Sequence, residues 1–123
     1  MKLFHCALLS GCVLLLAGCE RDDSPNLAPL PLDQIPAAVE QSFQKADAES
    51  RTDANNAIED VQKNDLAAAF QDLTALNSKA DLSLKQHTLL ARALLTLSQQ
   101  LTDAADRGDE QAAETLRHHL ATK

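Results

Sequence analysis

From Pro36 onwards, apolar residues recur at three- and four-residue steps, the spacing of one face of a helix. Val39, Phe43, Ala46, Ser50, Ala54, Ala57, Ile58 and Val61 trace the first stripe. Asn64 then Asp65 read as a stop followed by a new N-cap, so the pattern predicts a helix over 36–63, roughly 40 Å long. Its polar middle, residues 49–56, is where it would fray or kink. Asp47 with Arg51 and Glu59 with Lys63 are acid-before-base pairs at i,i+4, each worth about 0.2–0.5 kcal/mol.

A second helix follows, capped by Asp65 and carrying Leu66, Ala69, Phe70, Leu73 and Leu76, until residues 77–81 break it. Ser83-Leu84-Lys85-Gln86 has capping-box spacing and opens a third helix. Leu90, Leu94, Leu97, Leu101 and Ala104 or Ala105 form its seam, widened by Leu89 and Ala93. Gly108 ends it, because glycine takes the left-handed cap freely. Asp109 caps a short fourth helix with Ala112, Ala113, Leu116 and Leu120 inside. The predicted fold is all-α: about four helices forming two antiparallel hairpins.

Those hairpins are a weak internal repeat. A shift of 44 residues lays Ala46, Ser50, Asp53, Ala57 and Val61 on Leu90, Leu94, Leu97, Leu101 and Ala105, and Asn64-Asp65 on Gly108-Asp109. Ala68-Ala69 falls on Ala112-Ala113. The turns and the alanines resemble tetratricopeptide-like hairpins, a family with a period of about 34 residues. The period here is longer, and that family's aromatic positions are largely absent.

The N-terminus follows a different pattern. Lys2 precedes an apolar run, residues 7–16, broken only by Ser10, Gly11 and Cys12. A run of about ten suits a secretory signal and falls short of the roughly 20 residues that span a bilayer. It closes on Leu16-Ala17-Gly18-Cys19, which resembles the lipobox of bacterial lipoprotein signal peptides at all four positions. The resemblance implies cleavage between Gly18 and Cys19 and a diacylglycerol, with palmitate-type chains, on the Cys19 sulfur. Glu20, rather than aspartate, follows the lipidated cysteine; in the enterobacterial lipoproteins this resembles, that favours the periplasmic face of the outer membrane. The chain is also similar to small bacterial lipoproteins with a Pro-rich tether ahead of alanine-rich helical hairpins.

Three segments result: 1–18 a lipoprotein signal peptide, 19–35 the lipidated cysteine and a Pro-rich tether, 36–123 the helical domain. Pro25, Pro29 and Pro31 make the tether semi-rigid, with a reach of about 40–50 Å.

Composition narrows the function. Cleavage removes Cys6, Cys12 and Lys2, leaving no free thiol and ten basic residues against 18 acidic. That acidic surface repels nucleic acid and anionic headgroups, so the membrane is reached through the lipid. Only four Val or Ile residues follow Cys19 in the sequence, which disfavours strands. The domain is small enough to be marginal alone, so self-association is an expectation beside an envelope-protein partner.

The sequence holds no catalytic constellation. Gly108 is the one glycine after Gly18, so no Gly-rich loop can cradle phosphates. There is no His-Glu-x-x-His, no Gly-x-Ser-x-Gly and no cysteine pair. No enzyme, cofactor, metal or small-molecule substrate is expected. His87 reads as a boundary residue; His118 and His119 suit the C-terminal end of a helix dipole, although Glu114 with His118 has the i,i+4 spacing of a weak metal pair.

Lys123 raises a structural alternative, since the murein-lipoprotein family joins a C-terminal lysine to peptidoglycan. That family is one uninterrupted heptad helix, whereas breaks fall here at 77–83 and 107–109. A small hydrolase is the remaining alternative and would need carboxylates converging in a cleft. The surface expected to receive a partner is a groove between the long helices near Phe43, Phe70, Leu90 and Leu97.

Overall fold

The computed structural model describes residues 28–122, and among them the chain is helical without strands. A 3-10 turn, Leu32–Gln34, leads into α1 (Ile35–Phe43), followed by α2 (Ala48–Gln62), α3 (Leu66–Asn77), α4 (Leu84–Asp106) and α5 (Glu110–Ala121).

The helix predicted over 36–63 is two helices. It breaks not in the polar stretch 49–56, which is continuous helix, but ahead of it. Asp47 takes an extended backbone (ψ 164°) and its carboxylate accepts the Ser50 N–H at 2.9 Å, the bond of an N-cap. The acid assigned to a pair with Arg51 starts a helix instead. The apolar stripe hides this, because Phe43, Ala46 and Ser50 keep helical spacing across the break and all pack inward. Glu59 and Lys63 do pair.

The remaining boundaries follow the cap residues. Asp65 accepts from Ala68 N–H and Asp109 from Ala112 N–H, each at 3.1 Å. Ser83 and Gln86 close a full capping box. Gly108 is left-handed at φ 98°, and Asn64, one repeat earlier, at φ 60°.

Ion pairs and side-chain bonds fix how the helices run. Lys79, just past α3, reaches Glu49 and Asp53 in the first turns of α2 (3.2 and 2.8 Å), so α2 and α3 are antiparallel. Asn77 at the end of α3 meets His87 near the start of α4, and Gln86 donates to the Ser42 carbonyl at the end of α1. α5 folds back on α4 and also touches α3.

The core lies between α1, α3 and α4, where Val39, Leu73, Leu76, Leu90 and Leu97 are completely buried. The fully buried residues of α2 are Ser50, Ala54 and Ala57, small side chains that let it lie close to its neighbours, with Ile58 and Val61 packed at the edge. Burying each large aliphatic chain stabilises the fold by about 1.5–3 kcal/mol.

Ordered packing begins before residue 36. Leu30 is buried, its N–H donates to the Arg92 carbonyl at 3.3 Å, and its carbonyl accepts from Thr96 Oγ1. Arg92 Nε donates to the Ala28 carbonyl at 2.8 Å, and Ile35 is buried. Residues 28–35 are therefore a strap clamped on α4 rather than free tether. A proline-rich segment can dock in this way because prolines cost it no amide it needs. The signal, Gly18, Cys19 and the tether up to residue 27 lie outside the described residues, as does Lys123.

Candidate functional site

The groove expected between the long helices is filled from within the chain. α1 lies against both α2 and α4. Phe43, Leu90 and Leu97 are at most 1 % exposed, and together with Ile35 and Val39 they are core. Phe70 is buried as well, yet it lines two surface grooves beside α5.

The first groove, about 660 Å³, runs between α3 and α5. Gln71, Thr74 and Ser78 form one wall; Gln111, Glu114, Thr115, His118 and Thr122 form the other. The second, about 560 Å³, is bounded by α3, α4 and α5. Ala91, Leu94, Leu95, Leu116 and Leu120 give it a mainly apolar wall, joined by Thr74, Asn77, Ser98 and Thr102. His119 stands between the two grooves, its ring edge-on to Phe70 with centroids 5.0 Å apart.

His87 lies apart from His118 and His119, which both line the first groove. His87 Nδ1 lies 2.9 Å from Asn77 Oδ1, half-buried at the boundary where it was expected. His118 shares the first groove with Glu114, but the Glu114 carboxylate is paired with Arg117 at 2.8 Å. Among the described residues no three His, Cys, Asp or Glu side chains are arranged to hold a metal.

One carboxylate environment is unusual. Asp72 on α3 is pushed above its ordinary value, first by burial and then by Asp60 and Asp53 on the neighbouring face of α2. Lys79 rises through its bond to Asp53, with Glu49 adding to the effect. These groups line the seam between α2 and α3.

No family model, curated protein or solved structure matches this chain. Function therefore has to be argued from the chain's own residues.

Two residues of the apolar groove were misplaced or overlooked in the sequence. Leu120 was assigned to the interior of the last helix but is 70 % exposed, while Thr115 takes the buried position. Leu95, 40 % exposed, sits beside the seam residue Leu94 and extends the apolar surface outward. The Leu94-Leu95 doublet is the available signal: adjacent helix residues diverge by about 100°, so Leu95 lies a step away from the seam that Leu94 marks. Among the described residues, no helix is long and apolar enough to cross a membrane.

Proposed function

We propose that this chain is a lipid-anchored, periplasm-facing envelope lipoprotein whose helical domain serves as a small protein-interaction or structural module. The observation that carries the reading is Leu16-Ala17-Gly18-Cys19 at the end of a short apolar run. Cleavage before Cys19 and acylation of its sulfur follow from that motif, and Glu20 favours the outer membrane. Two chains or more are needed for stable anchoring, at about 0.8 kcal/mol per buried methylene.

The domain in this reading is a pair of antiparallel, tetratricopeptide-like hairpins, α2 with α3 and α4 with α5, closed on one side by α1 and the strap. Support comes from the two hairpin turns, which repeat after 44 residues with the same cap residue and a left-handed residue before it. Helical hairpin stacks present surfaces to partner helices or peptides, an argument from architecture. The wall-tether alternative needs a rod. The longest described helix has 23 residues and its neighbours fold back along it, which favours the interaction module.

Copurification from detergent-solubilised envelopes tests this reading, using a tag inserted between Cys19 and Ala28 and a Cys19→Ser control. A stoichiometric envelope protein captured with the lipidated form supports the module. Recovery of the chain alone, or its retention on the sacculus, contradicts it.

A further inference from the structure

Three leucines are exposed among the described large apolar residues: Leu84, Leu95 and Leu120. Two of them border the same groove, the one lined by Phe70, Ala91, Leu94 and Leu116 between α3, α4 and α5. Of its five polar side chains, three are committed elsewhere, leaving Ser98 and His119. Thr74 Oγ1 donates to the Phe70 carbonyl (2.7 Å), Thr102 Oγ1 to the Ser98 carbonyl (2.8 Å), and Asn77 Oδ1 is held with His87. No carboxylate, lysine or arginine lines it. A polar ligand would find few free hydrogen-bonding partners there, whereas a flexible apolar chain needs none. The neighbouring α3–α5 groove carries more polar side chains, Gln71, Gln111, Glu114 and His118 among them.

The described backbone starts against α4, the helix that forms one wall of the apolar groove. The strap crosses α4 at Arg92, whose Nε holds the Ala28 carbonyl. Ala91 and Leu95, one residue before and three after Arg92, both line the groove. Cys19 is nine residues upstream of Ala28. An extended segment of that length reaches about 28 Å, well beyond the 10–12 Å diameter of the helix it must round. The intervening residues, Glu-Arg-Asp-Asp-Ser-Pro-Asn-Leu, carry one leucine and cannot fill an apolar groove themselves. The lipid on Cys19 can.

We infer that this groove receives one acyl chain of the Cys19 lipid, folded back in cis. This rests on the lipoprotein reading. The strap sets the distance, and the groove shelters an acyl chain from water whenever the protein is away from a bilayer. Transfer to the membrane then exchanges one apolar environment for another.

Methyl NMR on the full chain tests it, with palmitate held below its micelle concentration as the probe. In the Cys19→Ser form, palmitate is expected to shift the methyls of Leu94, Leu95, Leu116 and Leu120 saturably, leaving Leu30 and Leu73 unmoved. Leu120→Asp, at an exposed position that leaves the core intact, is expected to weaken that binding by about tenfold or more. In the lipidated form the same methyls should already be displaced and should not respond to palmitate. An equal response in both forms overturns the cis occupancy, and no response in the Cys19→Ser form overturns the groove itself. The mass of the mature chain reads the lipidation separately. An unmodified Cys19 brings down the lipoprotein reading and the cis occupancy with it, whereas a lipidated chain with an empty groove brings down only the inference.

Discussion

The two hairpins share one backbone and differ in what they bury. After α2, Asn64 N–H bonds to Val61 O (3.0 Å) and Asp65 N–H to Asp60 O (2.8 Å). After α4, Gly108 N–H bonds to Ala105 O and Asp109 N–H to Ala104 O, both at 3.0 Å. These are the paired bonds of a Schellman turn, 44 residues apart, and each turn is followed by an aspartate cap. The second helices diverge. Phe70 and Leu73 of α3 are buried, while the matching residues of α5 are the exposed Glu114 and Arg117. Leu76 is fully buried and its counterpart Leu120 mostly exposed. Cap and turn residues therefore specify the hairpin, and the face chemistry of its second helix specifies whether it lies inside or at the edge. α5 is an edge helix with a polar outer face and one apolar flank.

The largest test of that contrast is a pair of truncations at matched positions. Leu73→Ala should cost about 2–5 kcal/mol through the cavity it leaves. Arg117→Ala, on an exposed face, should change stability by less than about 0.5 kcal/mol. Urea denaturation of both variants measures the difference, and similar losses would refute the central-versus-edge distinction.

Next come the shared turns. Asp65→Ala and Asp109→Ala should each cost about 1 kcal/mol, because each strands an amide of the first turn. At the left-handed positions the two hairpins should respond unequally. Gly108→Ala should destabilise by about 1 kcal/mol; a Cβ there meets nothing within 4 Å, so the cost is backbone strain alone. Asn64→Gly should be close to neutral. Thermal melts of the four variants check the set.

Those turns were legible in the sequence because each rests on a local signal: Asp65, Ser83 with Gln86, Gly108, Asp109. Asp47 carries the same signal and was hidden by an apolar stripe that continues in phase through the break. The strap was not legible, since Leu30 and Ile35 sit among prolines that favour extended chain and nothing local marks them as buried. Leu120 keeps helical spacing with Ala112, Ala113 and Leu116, and which flank of an edge helix is covered depends on neighbours that spacing does not reveal. For the same reason the groove between the long helices was expected to be open, although α1 fills it. Cys19 lies outside the described residues, so its chemistry rests on the motif alone.

A pH effect distinguishes the α2–α3 seam from its counterpart between α4 and α5. Burial, with Asp60 and Asp53, raises Asp72 above its ordinary 3.8. The folded state thus holds a proton that the unfolded chain releases, so this contribution is fully present below 3.8 and is lost as pH rises through the raised value. Asp72→Asn should be more stable than the parent at pH about 7, and the gap should close in acid. Urea midpoints at both pH values measure it; a variant less stable than the parent at neutral pH would contradict the repulsion.

The smallest effect is expected from the exposed Glu59–Lys63 pair. Lys63→Ala should change stability only marginally at low salt and not at all at high salt, in contrast to the cap two residues later.

The most direct test of the account is the intact mass of the mature protein isolated from envelopes, compared with its Cys19→Ser variant. The account predicts a chain beginning at Cys19, heavier by a diacylglyceryl group, and a variant that is neither lipidated nor held in the membrane. A mature chain with a free Cys19 thiol, or one cleaved elsewhere, would contradict it.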